Sequence, residues 1–205
     1  MVKAVLFDMG GVLVTSPFAG IAAYERQAGL PEGFIRRVNA TNPDSNAWAC
    51  FERGELDYAE FVRRFEAEAA ALGHRVDGAA VLDAMRGEPI DEMLVAVERV
   101  RDVAHTGLLT NNVRPLDPAS PVALRLLPLF DVVVQSSVEG VRKPDPAFYL
   151  LACERLGVEP PDCVFLDDLG VNCKPARALG MHTIKVVDTA EALTELERVL
   201  GVTLR

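Results

Sequence analysis

From Pro89 to the carboxyl end, short apolar runs with strand character alternate with helix-like segments. One of these helices has clear bounds, since Asp145 can cap its first turn, Pro146 fits its first position and Gly157 ends it. Alternation of this kind indicates a parallel sheet whose strands are joined by crossover helices. A further apolar run opens the chain, so an α/β fold is predicted. The predicted strands are residues 4–7, 106–109, 131–135, 163–166 and 183–187.

Residues 17–87 contain no strand-like run and are predicted to form helices inserted between the first strand and the rest. The clearest of these helices begins at Asp57, where Glu60 completes a capping box, and it ends at Gly73. Residues 52–55 are expected to form a solvated turn, and residues 124–127 are expected to be poor in helix. Four aromatic residues are expected to pack inside the helical region, and contact with a substrate is the alternative for each: Trp48, Phe51, Tyr58 and Phe61.

The composition limits the class of partner. The chain has 205 residues, of which 50% are hydrophobic and 25% charged, so it can bury a sizeable core. Its formal net charge is −9, and its 21 basic residues are dispersed. Nucleic acid is therefore not an expected partner, because phosphate backbones are held by clustered Lys and Arg.

Neither a membrane location nor export is expected from the sequence. No apolar run reaches the roughly 18 residues that a membrane span needs. The short apolar run at the amino end is cut off by Asp8, so it does not fit a signal peptide, and a cytoplasmic location is expected. The cysteines have no CxxC pair and no His at zinc-ligand spacing, so reduced and mostly buried thiols are predicted. They are Cys50, Cys153, Cys163 and Cys173.

Polar side chains follow several of the predicted strands. Asp8 follows the first strand and precedes a Gly10-Gly11 turn, although turns also select Asp on purely local grounds. In an open parallel sheet, ligands bind at the carboxyl ends of the strands, so residues in these places converge on one crevice. Lys143 follows the third predicted strand, residues 131–135, and belongs at the same edge. The other candidates are Thr110, Asn111, Asp167 and Asp168.

The chemistry of this set indicates phosphoryl transfer. Three carboxylates in one crevice repel one another unless a cation lies between them. A hard divalent ion with oxygen ligands, completed by a substrate phosphate, is typical of magnesium sites, so Mg²⁺ is the predicted cofactor. With Mg²⁺ and Lys143 reducing the charge repulsion, the Asp8 carboxylate could attack phosphorus and form an aspartyl phosphate. Thr110, Asn111 and nearby backbone N–H groups could hold the transferring oxygens.

The same residues lie in four motifs that resemble those of the haloacid dehalogenase superfamily, in the superfamily's order and across the whole chain. The motifs are FDMGGVLV around Asp8, LLTN ending in Thr110-Asn111, RKPDP with Lys143, and FLDD with Asp167-Asp168. The stretch FLDDLGVNCKPARALGMHTI is similar to the phosphatase domain at the amino end of soluble epoxide hydrolase and to the domain preceding some acyl-CoA dehydrogenases. The resemblance implies a Rossmann-like core, residues 1–16 and 88–205, with helices on both faces of its sheet. It also implies an all-helical cap, residues 17–87, of the C1 type found in subfamily IA.

Metal ligands are also implied by the resemblance. Asp8 would be both the nucleophile and a Mg²⁺ ligand, and the backbone carbonyl of Gly10 would be a second ligand. Asp168 would bind the metal directly, and Asp167 would act through water.

Further roles implied by the resemblance concern the phosphate. Thr110 and Asn111 would contact it, and Lys143 would bridge Asp8 and the phosphoryl group. Asn172 lies where relatives order the loop of the last motif, and a helix cap is the alternative for this residue. The resemblance thus implies hydrolysis of a small phosphorylated metabolite.

Gly10 departs from the pattern of the superfamily's phosphatases, which carry there a second Asp that protonates the leaving group and later activates water. Glycine keeps the backbone carbonyl but removes an acid that is typically worth about 10² to 10⁴ in rate. A slow phosphatase that favours leaving groups needing little protonation is therefore expected. Two alternatives stay open: a noncatalytic module that binds phosphate or Mg²⁺, and a 2-haloacid dehalogenase, in which Asp167-Asp168 would have no purpose. The sequence predicts no oligomeric state.

Overall fold

A single five-stranded parallel sheet forms the centre of the computed structural model, which describes residues 1–205. The strands are β1 (Ala4–Phe7), β2 (His105–Thr110), β3 (Val132–Gln135), β4 (Cys163–Asp167) and β5 (His182–Lys185). Their order across the sheet is β3-β2-β1-β4-β5, so β1 lies in the middle. Phe7 at the end of β1 pairs with Leu108 on one side and Leu166 on the other. The polar residues that follow these three strands therefore leave the sheet side by side.

Eleven α-helices surround the sheet or lie in the segment between β1 and β2. They are α1 (Pro17–Gln27), α2 (Phe34–Ala40), α3 (Ala47–Glu52), α4 (Tyr58–Ala71), α5 (Gly78–Ala84), α6 (Asp91–Val100), α7 (Pro121–Leu126), α8 (Ser136–Glu139), α9 (Pro146–Leu156), α10 (Gly170–Ala178) and α11 (Thr189–Leu200). Short 3₁₀ turns occur at Leu127–Leu129 and Pro160–Asp162. None of the helices has the length and apolar character to cross a membrane.

Both faces of the sheet are buried under helices, as predicted. Side chains along β1 alternate between the faces, so Val5 and Phe7 join a cluster with side chains of α6 and α11. Ala4 and Leu6 point the other way, into a cluster with side chains of α9 and α10. A parallel sheet covered on both faces explains why the central strands β1 and β4 are nearly continuous apolar runs with no polar alternation.

Helices α1 to α5 have a hydrophobic cluster of their own, separate from the two on the sheet. The predicted packing of three aromatic residues is confirmed, since Trp48, Phe51 and Phe61 are buried there. The Phe61 ring is stacked on Phe51 and meets the Trp48 ring edge to face. Tyr58 differs, because it begins α4 and is 51% exposed.

The prediction of a solvated turn at residues 52–55 is wrong at its first residue. Residues 47–52 form helix α3, whose amino end is capped by Asn46, and Glu52 at its last position is buried. Asn46 accepts a hydrogen bond from Ala49 N in the manner of an N-cap side chain. A six-residue helix in which every residue is buried carries no amphipathic pattern, so periodicity could not reveal it.

The segment around residues 124–127 is also helical, contrary to the prediction. Ser120 caps α7 through its side-chain oxygen, and Pro121 occupies the first turn, where a missing N–H costs nothing. Leu124 is 63% exposed, so apolar residues lie on both faces of this helix, and the helical periodicity of apolar residues is not visible in the sequence. The burial predicted for the cysteines is confirmed for all four.

Candidate active site

The carboxyl edge of the sheet gathers three acidic side chains. Asp8 directly follows β1, Asp167 is the last residue of β4, and Asp168 comes next. Asp8 N donates a 2.9 Å hydrogen bond to the Leu166 carbonyl, which extends the pairing of the two strands to the site itself. Carboxylate oxygens of the three aspartates lie within 4.8 Å of one another. Asp8 and Asp167 are buried, and Asp168 is half-buried.

Lys143 brings a buried positive charge into this cluster. Its Nζ lies 2.6 Å from Asp8 Oδ1 and 2.8 Å from Asp167 Oδ2, and its side chain is 1% exposed. Burial raises the pKa of Asp8 to about 7 even with Lys143 beside it. Burial and the nearby Asp167 charge raise the pKa of Asp168 to about 6. Burial alone would lower the pKa of Lys143, but the two carboxylates raise it above its ordinary value.

This donor set fits a hard divalent cation. Three carboxylates face a single ammonium group, so the cluster has more negative than positive charge, and every candidate ligand atom is an oxygen. Oxygen-only sites of this kind suit Mg²⁺ or Ca²⁺ rather than zinc or copper. Burial is the main cause of the raised pKa values of Asp8 and Asp168, and the Asp167 charge raises both further.

Asp167 is fixed by neighbours from its own loop and helix. Its Oδ1 accepts hydrogen bonds from Leu169 N at 2.8 Å and from Asn172 Nδ2 at 3.0 Å, and the same amide lies 3.1 Å from Oδ2. Tyr149 OH in turn donates to the Asn172 carbonyl at 2.8 Å. Asn172 lies inside α10 and not at its N-cap, so its side chain orients Asp167 and does not cap the helix.

Asn111 is joined to the backbone of Lys143. Its Nδ2 donates to the Lys143 carbonyl and its Oδ1 accepts from Lys143 N, both at 2.9 Å. This pair of bonds fixes the peptide from which the lysine side chain extends into the acidic cluster. Thr110, at the end of β2, is 4% exposed at the same edge of the sheet. A phosphate contact by Asn111 would use its backbone N–H, since the side-chain amide is committed to Lys143.

The two glycines after Asp8 meet different surroundings. Gly11 has φ +77°, and a Cβ at this position would lie 2.4 Å from Asp168 Oδ2. Only glycine permits this left-handed turn and the close approach of the acidic loop. Gly10 has no positive φ, and a Cβ there would meet nothing closer than Pro17 Cδ at 3.4 Å, which is ordinary contact.

We expect Gly11→Ala to lower stability and to disturb Asp168. The left-handed conformation alone costs an L-residue about 1–2 kcal/mol, and the methyl group must displace the Asp168 carboxylate. Urea unfolding in EDTA measures the first effect, and a Mg²⁺ titration followed by the rise in melting temperature measures the second. Gly10→Ala is the matched control, because it adds the same methyl group one residue away where there is room. Equal unfolding free energies for the two variants would contradict this account.

We expect Lys143→Met to destabilise the metal-free protein by about 3–5 kcal/mol, the usual cost of removing one partner from a buried ion cluster. The substitution keeps the length of the side chain but leaves Asp8 and Asp167 facing each other without the ammonium group. Urea unfolding in EDTA measures the loss. Lys3→Met, which removes the exposed ion pair with Asp162, is the control and should change stability far less. Similar losses of unfolding free energy in the two variants would contradict the stabilising role of the buried lysine.

A cleft of about 750 Å³ opens beside the acidic cluster. Gly10, Thr110 and Asn111 line its sheet side. Its opposite wall comes from the helical segment and includes the apolar side chains Phe51, Tyr58, Leu82 and Met85. Glu52, which the sequence assigned to solvent, also lines the cleft.

Comparison with known proteins agrees with this geometry. The model of the haloacid dehalogenase-like hydrolase family matches residues 2–180. The chain is 36% identical over 209 residues to acyl-CoA dehydrogenase family member 10 of Mus musculus, covering 97% of this chain and 19% of that protein. It is 34% identical over 220 residues to bifunctional epoxide hydrolase 2 of Sus scrofa, covering 98% of this chain and 39% of that protein. The chain thus spans well under half the length of either relative, and both of the resemblances drawn from the sequence are confirmed.

The fold is also found among solved structures. A HAD family enzyme from Bacteroides thetaiotaomicron, determined in complex with magnesium and inorganic phosphate, superposes with a TM-score of 0.63. The sequences are 19% identical, and the match covers 90% of this chain and 93% of that one. At this identity the similarity establishes the shared fold.

Proposed function

Because the chain belongs to the haloacid dehalogenase-like hydrolases, we propose that it is a Mg²⁺-dependent phosphatase acting on a small phosphorylated metabolite. The observation that carries the proposal is the convergence of three carboxylates within 4.8 Å, two of them bound to one buried lysine. A structure of the same fold that holds magnesium and inorganic phosphate supports it. A dehalogenase, by contrast, would need neither a cation nor the second and third carboxylates.

Asp8, Asp168 and the Gly10 carbonyl would hold the metal, and Asp167 would act through water. Asp167 suits the indirect role, because its oxygens already accept hydrogen bonds from Lys143, Leu169 N and Asn172. When bound, Mg²⁺ would neutralise charge on the cluster and on the phosphate. Since Asp167 cannot move without losing these bonds, the site is preorganised on its β4 side.

The proposed reaction has two steps. In the first, an Asp8 carboxylate oxygen forms a bond to phosphorus while the bond from phosphorus to the leaving-group oxygen breaks. In the second, water attacks the aspartyl phosphate, which releases inorganic phosphate and restores the Asp8 carboxylate. Lys143 would reduce repulsion between Asp8 and the dianion, and the Thr110 hydroxyl and backbone N–H groups would hold the phosphoryl oxygens.

We further propose that residues 17–87 act as a cap over a core made of residues 1–16 and 88–205. The cleft between the acidic cluster and helices α3 to α5 would then receive the leaving group, with Phe51, Tyr58, Leu82 and Met85 around it. A wall of this kind excludes water from the reacting phosphate.

A phosphatase screen tests the proposal directly. Sugar, acyl and lipid phosphates are incubated with the protein in Mg²⁺ or EDTA, and released phosphate is measured with Asp8→Asn as the blank. Hydrolysis that needs both Mg²⁺ and Asp8 would support a phosphatase. Chloride release from a 2-haloacid in EDTA would instead support attack on carbon.

We expect the hydrolysis rate to depend steeply on the leaving group. No carboxyl group occupies position 10 to donate a proton, so aryl and acyl phosphates with acidic leaving groups should react much faster than alkyl phosphates. A series of substituted aryl phosphates gives the slope of log kcat/KM against leaving-group pKa. A flat plot, with chemistry shown to limit the rate, would mean that another residue supplies the proton.

Gly10 also favours a second candidate function, a noncatalytic module that binds phosphate or Mg²⁺. In that case beryllium fluoride should bind in the presence of Mg²⁺ while p-nitrophenyl phosphate stays intact. A slowly decaying aspartyl phosphate would support the same conclusion. Hydrolysis that disappears in Asp8→Asn would exclude it.

A further inference from the structure

Glu52, which is buried, makes an ion pair with the partly buried Arg142 that joins the helical segment to the core. It ends α3, and its Oε2 accepts a hydrogen bond from Arg142 Nη1 at 2.7 Å. Its Oε1 accepts from Trp48 Nε1 at 3.0 Å, so both carboxylate oxygens are used. The side chains of Glu52 and Arg142 are 11% and 19% exposed. Ninety residues separate the two partners in the chain, and the pair joins two regions that otherwise have separate hydrophobic clusters.

Two further contacts surround this ion pair. Arg142 Nη2 donates to the Pro43 carbonyl at 2.5 Å, which gives the guanidinium a second partner in the helical segment. The turn after α3 lies directly on α8, because a Cβ on Gly54 would be 2.5 Å from the Ser137 carbonyl oxygen. Gly54 has φ +70°, so glycine is required there both for the turn and for the close approach. Together these contacts form a seat for the helical segment, made of Pro43, Glu52 and Gly54 against Ser137 and Arg142.

The core side of this seat is continuous with the acidic cluster. Arg142 is bonded through its peptide to Lys143, whose backbone is held by Asn111 and whose Nζ contacts Asp8 and Asp167. Arg142 is thus one residue away from the only cation of the cluster. An exposed ion pair would carry little energy, but removing one partner of a buried pair leaves the other charge uncompensated.

We propose that Glu52 is a positioning residue, which acts through Arg142 to hold the helical segment on the core and Lys143 in the acidic cluster. The catalytic part of this statement rests on the proposed phosphatase function. Glu52 itself contacts neither Asp8 nor the candidate metal ligands. Its effect is to couple closure of the cleft to the placement of the lysine.

A double-mutant cycle measures this coupling. Glu52→Gln, Arg142→Met and the double variant are assayed with p-nitrophenyl phosphate in Mg²⁺, alongside melting temperatures. We expect each single variant to lose about tenfold to a hundredfold in kcat/KM, mostly in kcat, as small misplacements of a reacting group do. The kcat/KM of the double variant should be no lower than that of the less active single variant, because each single substitution already removes the same contact. Unchanged kcat/KM in the single variants, or losses that multiply in the double variant, would overturn the proposal.

A second measurement does not depend on hydrolysis. Trp48 is the only tryptophan of the chain, is 8% exposed and donates to Glu52, so its fluorescence reports on the seat. Arg142→Met changes only the core side, yet we expect it to make Trp48 more accessible to acrylamide, with a larger Stern–Volmer constant than the wild type. Equal quenching in the two proteins would overturn the proposal.

Arg205→Met is the matched control for both measurements. It removes an Arg–Glu pair of the same chemistry, with Glu197 at 2.8 Å, but both partners lie at the carboxyl end of the chain and outside the seat. It should alter neither kcat/KM nor the quenching of Trp48, and an effect as large as that of Arg142→Met would overturn the proposal. If the wild type hydrolyses no phosphate, the proposed function fails on its own, and the quenching comparison still decides whether Arg142 holds the helical segment.

Discussion

Asp8→Asn should abolish phosphate release while leaving the protein folded. Removal of a covalent nucleophile typically costs about 10⁴-fold or more in kcat, because no second group can form the intermediate. Asn keeps the size of the side chain and an oxygen that can accept a hydrogen bond from Lys143. Released phosphate from p-nitrophenyl phosphate in Mg²⁺, measured against a protein-free blank, gives the activity.

Stability separates this loss of chemistry from a loss of structure. Asp8 is one of three crowded carboxylates, and Lys143 keeps Asp167 as a partner when Asp8 becomes neutral. Less mutual repulsion remains in the variant, so we expect its melting temperature in EDTA to be no lower than that of the wild type. Acid-quenched wild-type protein should carry one phosphoryl group on the peptide that contains Asp8, and the variant should carry none. Activity in Asp8→Asn near the wild-type level would remove Asp8 from the reaction.

The sheet and the acidic cluster were predictable because they depend on strong local signals. Buried parallel strands are continuous apolar runs, and each run is short enough to end at a definite residue. Once the strands are parallel neighbours, the residues after them must meet at one edge, so Asp8, Thr110 and Asp167 could be grouped without coordinates. The predicted bounds of the first strand match the observed ones, and those of the other four strands differ by at most two residues at either end.

The residues that sequence missed depend on contacts between distant parts of the chain. Glu52 looks like part of a charged turn, with Arg53 and Glu55 close by, and only the arrival of Arg142 from the core makes its burial possible. The role of the Asn111 side chain also depends on a contact with a distant residue. Its type suggested a phosphate contact, whereas the structure commits the amide to the Lys143 peptide. No periodicity or motif spacing encodes either pairing.

The two glycines after Asp8 show the same difference between what is local in sequence and what depends on distant contacts. Their place in a turn is a local property, but the reason for Gly11 is the Asp168 carboxylate, which follows β4 more than 150 residues later in the chain. Gly10 has no comparable constraint, since a Cβ would meet only the Pro17 ring at ordinary contact distance. The backbone therefore tolerates a side chain at position 10, and the absence of an acid there is a matter of chemistry rather than of space.

Gly10→Asp should consequently raise the rate on substrates with poor leaving groups. The new carboxyl would lie on the sheet side of the cleft, where the leaving group is proposed to lie, and a general acid is typically worth about 10²–10⁴ in rate. The surrounding carboxylates would favour its protonated form, which is the form that donates a proton. We expect the gain in kcat/KM to be large for alkyl phosphates and small for p-nitrophenyl phosphate, so the slope against leaving-group pKa should become shallower.

Gly10→Asn is the control that decides how such a gain arises, because it adds a side chain of the same shape that cannot act as the acid. If proton donation is responsible, Gly10→Asn should keep the steep slope of the wild type, and Gly10→Ala should do the same. Equal gains in the Asp and Asn variants would mean that the side chain acts by filling the cleft. A loss in all three variants would mean that the backbone at position 10, whose carbonyl is a proposed metal ligand, tolerates no side chain despite the open space beside it. Only the first outcome would show that the missing acid limits the rate on poor leaving groups, and it would do so with the metal ligands and Lys143 unchanged.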